Sequence, residues 1–185
     1  MKIIVAITGA SGGIYARQCI EQLLSANQVE QIALVVSTTA REVLQYEGIE
    51  LPISPKIVCY NNDDMFAAVA SGSARYDAMV VVPASMGSVG RIASGVSLSL
   101  IERAADVMLK ERRRLVVVVR ETPYSLIHLR NMTTLTEAGA IVLPASPSFY
   151  SHAVTIEELA MTVTERIIAH LGIELPHYEW GHKSE

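Results

Sequence analysis

Apolar residues follow two alternating rhythms along this chain. Short, nearly unbroken runs ("KIIVAIT", "QIALVVS", the weaker "KIVCY", "AMVVVPA", "RLVVVV" and "AIVLPA") predict parallel strands buried on both faces. Between them lie stretches with helical spacing: "GIYARQCIEQLLSA", "TAREVLQYE", "DDMFAAVASG", "SLIERAADVMLKERR", "SLIHLRNMTTLTEAG" and "TIEELAMTVTERIIAHLG". Thr155 and Glu158 form a capping box at the start of the last helix, and Gly172 stops it. The alternation runs almost to the end, with no internal repeat and no linker. It predicts one doubly wound α/β domain with helices on both faces of a parallel sheet. Ligands of such sheets bind beyond the carboxyl ends of the strands. The search for function therefore narrows to the loops after Thr8, Val36, Val82, Val119 and Leu143.

Composition removes several classes of function. Of 185 residues, 50% are apolar and 18% charged, which excludes a disordered chain. A formal charge of -4 argues against a nucleic-acid binder, which carries a basic face. No apolar stretch is long enough to span a bilayer, and the first residues enter a strand without the regions of a signal peptide. Cys19 and Cys59 are too few for a disulfide framework or a thiolate metal site, so the expected setting is reducing and cytoplasmic. His128, His152, His170, His177 and His182 show no metal-ligand spacing, and Asp63-Asp64 reads as a helix start.

The first loop, Thr8-Gly9-Ala10-Ser11-Gly12-Gly13, joins a strand to a helix, where an anion is commonly held. Its glycines match neither G-x-G-x-x-G nor a Walker sequence. The second strand ends in Ser37-Thr38-Thr39 without the carboxylate that grips a dinucleotide ribose. A mononucleotide such as flavin mononucleotide (FMN) fits these absences better than NAD; tight strand–helix packing alone would explain the glycines equally well. After the fourth strand, Ser85, Met86, Gly87 and Ser88 read as a small polar loop able to approach a flat ring. Arg103 and Lys110, seven apart, share one helix face, and Arg120 lies at the ligand edge with Glu121 beside it. For any one of these cations, surface ion pairing is the ordinary alternative. Arg112, Arg113 and Arg114 read as a solvated helix end. Tyr150 by default is a core tyrosine, and Arg166 is solvated.

Taken together, "ITGASG", "PASM", "RAADVMLKERR", "LVVVVRETP", "LPASPSFY" and "TIEEL" resemble the UbiX/Pad family of flavin prenyltransferases in order and spacing, from Lys2 to about Gly172. The resemblance implies a Rossmann-like (flavodoxin-like) flavin-binding domain over 1–172, with 173–185 as a C-terminal tail. It implies an enzyme that joins the dimethylallyl group of dimethylallyl monophosphate to N5 and C6 of reduced FMN, without a metal. The product, prenylated FMN, would serve a partner decarboxylase of the UbiD type. It further implies a homo-oligomer, a dodecamer of trimers, with sites where subunits meet. Residue by residue, Gly9, Ala10, Ser11, Ser37, Ser85, Met86, Gly87, Ser88 and Arg120 match flavin-contacting positions. Tyr150 and Arg166 match positions that hold the prenyl phosphate, with Lys110, Arg103 and Arg120 near it. Glu47 matches the family's catalytic glutamate, Ser11 a proton relay, and Glu121 a second acidic position; Lys110 would assist the departing phosphate.

The chain departs from the family pattern in places. Ala84-Ser85-Met86 stands where the family often has Cys-Ser-Met, Gly87-Ser88 where it has Lys-Thr, Leu98-Ser99 where it has Asp-Asn, and Ala153 where it has Pro. Two other readings compete. An FMN-dependent cysteine decarboxylase of the same fold would carry an Asn-rich "P-x-N-A-N-T"-like loop where this chain has "PASMGS". A non-catalytic flavin-delivery protein would not need Glu47, Lys110, Arg120 and Tyr150 together.

Overall fold

Six short strands carry the architecture: β1 (Lys2–Ile7), β2 (Gln31–Val36), β3 (Ile57–Tyr60), β4 (Ala78–Ala84), β5 (Arg114–Val119) and β6 (Ile141–Pro144). They form one parallel sheet in the order β3-β2-β1-β4-β5-β6. The computed structural model describes residues 1–175; His177, His182 and the tail from residue 176 onward lie outside the described residues. Alternate side chains of each strand enter different cores. Ile3, Val5 and Ile7 join Ala16, Ile20 and Leu23 of helix α1 (Gly13–Ser25) and Val163 and Ile167 of α6 (Ile156–Leu171). Ile4 and Ala6 face the other way, toward Val89 of α3 (Met86–Ala93), Ala104 and Met108 of α4 (Leu100–Lys110) and Leu135 of α5 (Leu126–Glu137). α2 (Thr38–Glu47) adds Ala40 and Leu44 to the first core. Burying each large aliphatic side chain contributes about 1.5–3 kcal/mol, which is why both faces of every central strand read as apolar.

The capping box expected at α6 is present: Thr155 Oγ1 accepts from Glu158 N at 3.1 Å, and Glu158 Oε2 accepts from Thr155 N at 3.3 Å. Gly172, at φ 78°, ends the helix. No helix among the described residues is long and apolar enough to cross a membrane.

Two expectations for local structure fail. "DDMFAAVASG" forms no α-helix; it holds turns and two 3₁₀ turns, Ala68–Ala70 and Gly72–Ala74. Asn61 and Asp64 side chains accept backbone N–H bonds from Asp63 and Phe66, two residues on, so the Asx turns compete with the helix. Conversely, Ser85–Ser88 is not a loop. Ser85 is the N-cap of α3, accepting from Ser88 N, and Met86, Val89 and Ile92 bury one face of that helix.

The strand order reverses between β1 and β4. The chain runs outward from β1 to β2 and β3, then crosses back to β4. At this switch point Thr8 ties the strand ends together. Its Oγ1 donates to Pro83 O at 2.9 Å and accepts from Ser85 N at 2.7 Å. A crevice opens just beyond it, where an open α/β sheet binds its ligands.

Candidate functional site

A cavity of about 270 Å³ occupies that crevice. Its walls bring together the predicted Gly9, Ser37, Ser85 and Ser88 with Thr8, Thr39, Asn62 and Arg91. Ser37 and Ser85 are the N-caps of α2 and α3, so both helices open toward the cavity. Met86 is 7% exposed with its side chain in the core, so only its backbone can serve a ligand.

The first loop already holds an anion, and the protein supplies it. Glu47, the last residue of α2, accepts from Gly12 N at 2.8 Å through Oε1 and from Gly13 N at 2.7 Å through Oε2. Its carboxylate thus closes the N-terminus of α1, and Ser11 donates to it as well. Two glycines permit this clasp. Gly12 has φ 111°, and a Cβ on Gly13 would lie 2.9 Å from Glu47 Oε2. Partial burial raises the Glu47 pKa. The Ser11 hydroxyl, the two N–H groups and the Arg120 guanidinium outweigh that and hold it below its ordinary value. Glu47 is therefore a carboxylate at neutral pH. Beside it lies an open hollow of about 520 Å³, walled by Ser11, Val43 and Tyr46, with the Tyr46 ring 95% exposed.

The remaining predicted residues line neither of these two cavities. Arg120 sits just past β5, its N–H on Ala84 O at 3.3 Å, close enough to Glu47 and Tyr15 to influence both. Glu121 accepts from Thr122 N at 2.9 Å and secures the turn after β5. Arg166 lines a separate cavity of about 440 Å³ between β6 and α6, with Nη2 3.4 Å from His170 Nε2. Burial, and then Arg166, lower the His170 pKa, so this imidazole is neutral at pH 7. Tyr150 is exposed in the segment after β6. Arg103 donates to Ala70 O at 3.1 Å and pairs with Asp106 at 2.7 Å. Lys110, paired with Glu111, ends α4 four residues before β5 begins, at the opposite edge of the sheet from Glu47. Within one chain, Lys110 cannot join the groups around Ser11.

A model of the flavoprotein family (Flavoprotein) matches residues 1–171. The flavin prenyltransferase UbiX of Methanocaldococcus jannaschii is 42% identical over 185 residues, spanning 98% of this chain and 99% of that one. The chain belongs to the UbiX family of flavin prenyltransferases. Two solved structures share its fold closely. A dodecameric FMN-dependent UbiX-like decarboxylase of Escherichia coli O157:H7 superposes with TM-score 0.90 at 36% identity, covering 98% of this chain and 100% of that one. AnUbiX (PadA1), in complex with FMN and dimethylallyl pyrophosphate, superposes with TM-score 0.85 at 40% identity, covering 96% and 98%.

The cavity chemistry of this UbiX-family chain suits the phosphate end of FMN: hydroxyls of Thr8, Ser37, Thr39, Ser85 and Ser88, with one guanidinium, that of Arg91, ion-paired to the Glu102 carboxylate in the same wall. Sequence reasoning missed Thr8, Thr39, Asn62, Arg91 and Glu102. The sequence did hold a signal for Glu102, since Ser99-x-x-Glu102 is a capping box. Asn62 gave none; it closes α4 through tertiary contact, its carbonyl accepting from Leu100 N at 2.7 Å and Oδ1 from Ile101 N at 3.1 Å.

Proposed function

We propose that this chain transfers the dimethylallyl group of dimethylallyl monophosphate to reduced FMN, and that a UbiD-type decarboxylase receives the prenylated FMN. The observation that carries this reading is the clasp around Glu47: a carboxylate held ionised by two backbone N–H groups, with Ser11 and Arg120 beside it. Gly9, Ala10, Ser37, Ser85, Met86, Gly87 and Ser88 hold the flavin through backbone and hydroxyl groups, with Arg120 at its edge. Bound reduced FMN supplies a nucleophilic ring nitrogen and a ring carbon that loses a proton.

Glu47 acts as the acid–base group of this proton shift, with Ser11 as the relay: one proton is delivered to the prenyl double bond as the second bond forms, and the ring carbon's proton returns to the carboxylate. Arg120 offsets negative charge around the reacting ring. Tyr150, Arg166, Lys110 and Arg103 grip the departing phosphate through charge-assisted hydrogen bonds. Glu121 keeps the turn that carries Arg120 in place. The Tyr46 ring and Val43 give the open hollow beside Glu47 an apolar face for the dimethylallyl group.

Because Lys110 ends at the far edge of the sheet, it serves a site on another copy, so the enzyme works as a homo-oligomer. The fully exposed Phe66, with Leu98, Phe149 and Val154 at 74–86% exposure, gives such an assembly apolar ground. The dodecameric state of the E. coli relative fits this requirement. The test is incubation with reduced FMN and dimethylallyl monophosphate under anaerobic conditions, followed by mass analysis of the flavin. A flavin heavier by one prenyl unit is expected. Recovery of unmodified FMN alone would refute the reading, and would leave a flavin-delivery role.

A further inference from the structure

We infer that Arg91 is the residue by which this protein tells FMN from riboflavin, and that Glu102 positions it. The inference rests on the flavin reading above. Arg91 lies in the last turn of α3, one helical turn beyond Gly87, and lines the crevice cavity. Its Nε donates to Glu102 Oε1, and its Nη2 to Ser88 Oγ at 3.3 Å. A guanidinium has five N–H donors; the Nη1 group has no acceptor among the described residues. A Cβ placed on Gly87 would lie 3.4 Å from Nη1, which puts the guanidinium over the first turn of α3.

Glu102 makes the arrangement rigid. Its side chain is 4% exposed while that of Arg91 is 44% exposed. Oε1 holds Arg91, and Oε2 accepts from Leu98 N at 2.8 Å and Ser99 N at 3.0 Å. Both oxygens are engaged and its charge is matched, so the carboxylate orients the guanidinium without presenting a free negative charge to the cavity. Glu102 comes from α4 and Arg91 from α3, so the pair also fixes the angle between the two helices that close this side of the crevice. What the cavity meets is the remaining N–H donors of a fixed guanidinium, ion-paired with the Glu102 carboxylate in the same wall, amid the Ser37, Ser85 and Ser88 hydroxyls. That combination recognises a phosphate monoester, the one group that distinguishes FMN from riboflavin.

Equilibrium binding of oxidised FMN and of riboflavin, read by quenching of flavin fluorescence, tests the inference. Removing Arg91 alone would leave Glu102 buried and unpaired. The informative variant is therefore the charge-matched double substitution Arg91→Met with Glu102→Gln, which keeps an acceptor for Leu98 N and Ser99 N. Its FMN affinity is expected to fall about 10- to 100-fold while its riboflavin affinity stays within about twofold. Arg91→Lys, which keeps the charge but not the fork, is expected to lie between the variant and the wild type. Equal weakening of both flavins would mean that the pair only shapes the crevice, and unchanged FMN affinity would mean that Arg91 does not touch the phosphate; either result overturns the inference. A wild-type protein that binds neither flavin would instead overturn the functional reading beneath it.

Discussion

Replacing Glu47 with Gln isolates the centre of the proposed chemistry. The carboxylate accepts two backbone N–H bonds, at 2.8 and 2.7 Å, one through each oxygen. Gln keeps one oxygen and turns an NH₂ toward the second N–H, so one charge-assisted bond is lost and two donors face each other. Such a bond contributes about 1.5–3 kcal/mol, and the lost charge at the α1 N-terminus adds about 0.3–1 kcal/mol. Glu47 is only partly buried, so water reaches the abandoned donor and the lower end applies: about 2 kcal/mol. For a domain of this size the expected fall in Tm is roughly 3–8 °C, by calorimetry. The chemical effect should be far larger, about 10²- to 10⁴-fold in the rate of ring closure, measured in a single turnover with reduced FMN and dimethylallyl monophosphate. FMN binding, governed by the other loops, should change by less than about threefold. A variant that forms prenylated FMN at the wild-type rate would remove Glu47 from the mechanism. One that loses FMN binding altogether would recast it as a purely structural clasp.

Three further expectations follow from the same geometry. The Glu47 pKa is depressed from its ordinary 4.5 in the folded chain, so the clasp stabilises fully above that value. That stability is lost as pH falls through the folded pKa, and urea melts between pH 7 and 3 should show the loss in the wild type and not in Glu47→Gln. Gly12→Ala puts a Cβ at φ 111° and 2.9 Å from the Tyr15 ring, which should cost about 1–3 kcal/mol by chemical denaturation. Finally, Lys110→Ala and Glu47→Gln chains, each inactive as a pure assembly, should recover part of the wild-type activity when co-assembled. Persistent inactivity of the mixture would mean that no site draws on two copies.

The sheet was legible because each central strand buries both faces, which writes a continuous apolar run into the chain. α3 was not, because "ASMGSVGRIASG" has the glycines and serines of a loop; what makes it a helix is the Ser85 cap and the burial of Met86, Val89 and Ile92. The stretch after Asn61 failed in the opposite sense, its helical spacing overruled by Asn and Asp side chains that bond their own backbone. The site loops could be located, since the carboxyl edge of a doubly wound sheet is a fixed address. Their partnerships could not. Glu47 meets Gly12 across 35 residues and Arg91 meets Glu102 across 11, and neither spacing leaves a mark in local periodicity.

An acidic protein of formal charge -4 that handles two phosphate esters faces an electrostatic contradiction. The fold resolves it locally. Because α2 and α3 begin at the crevice, the positive ends of two peptide columns point at the spot where an ester would rest, whatever the surface charge elsewhere. Backbone dipoles cannot be titrated away, and inside a crevice dissolved ions screen them poorly. Flavin capture should therefore respond far less to ionic strength than capture by a lysine-studded surface does.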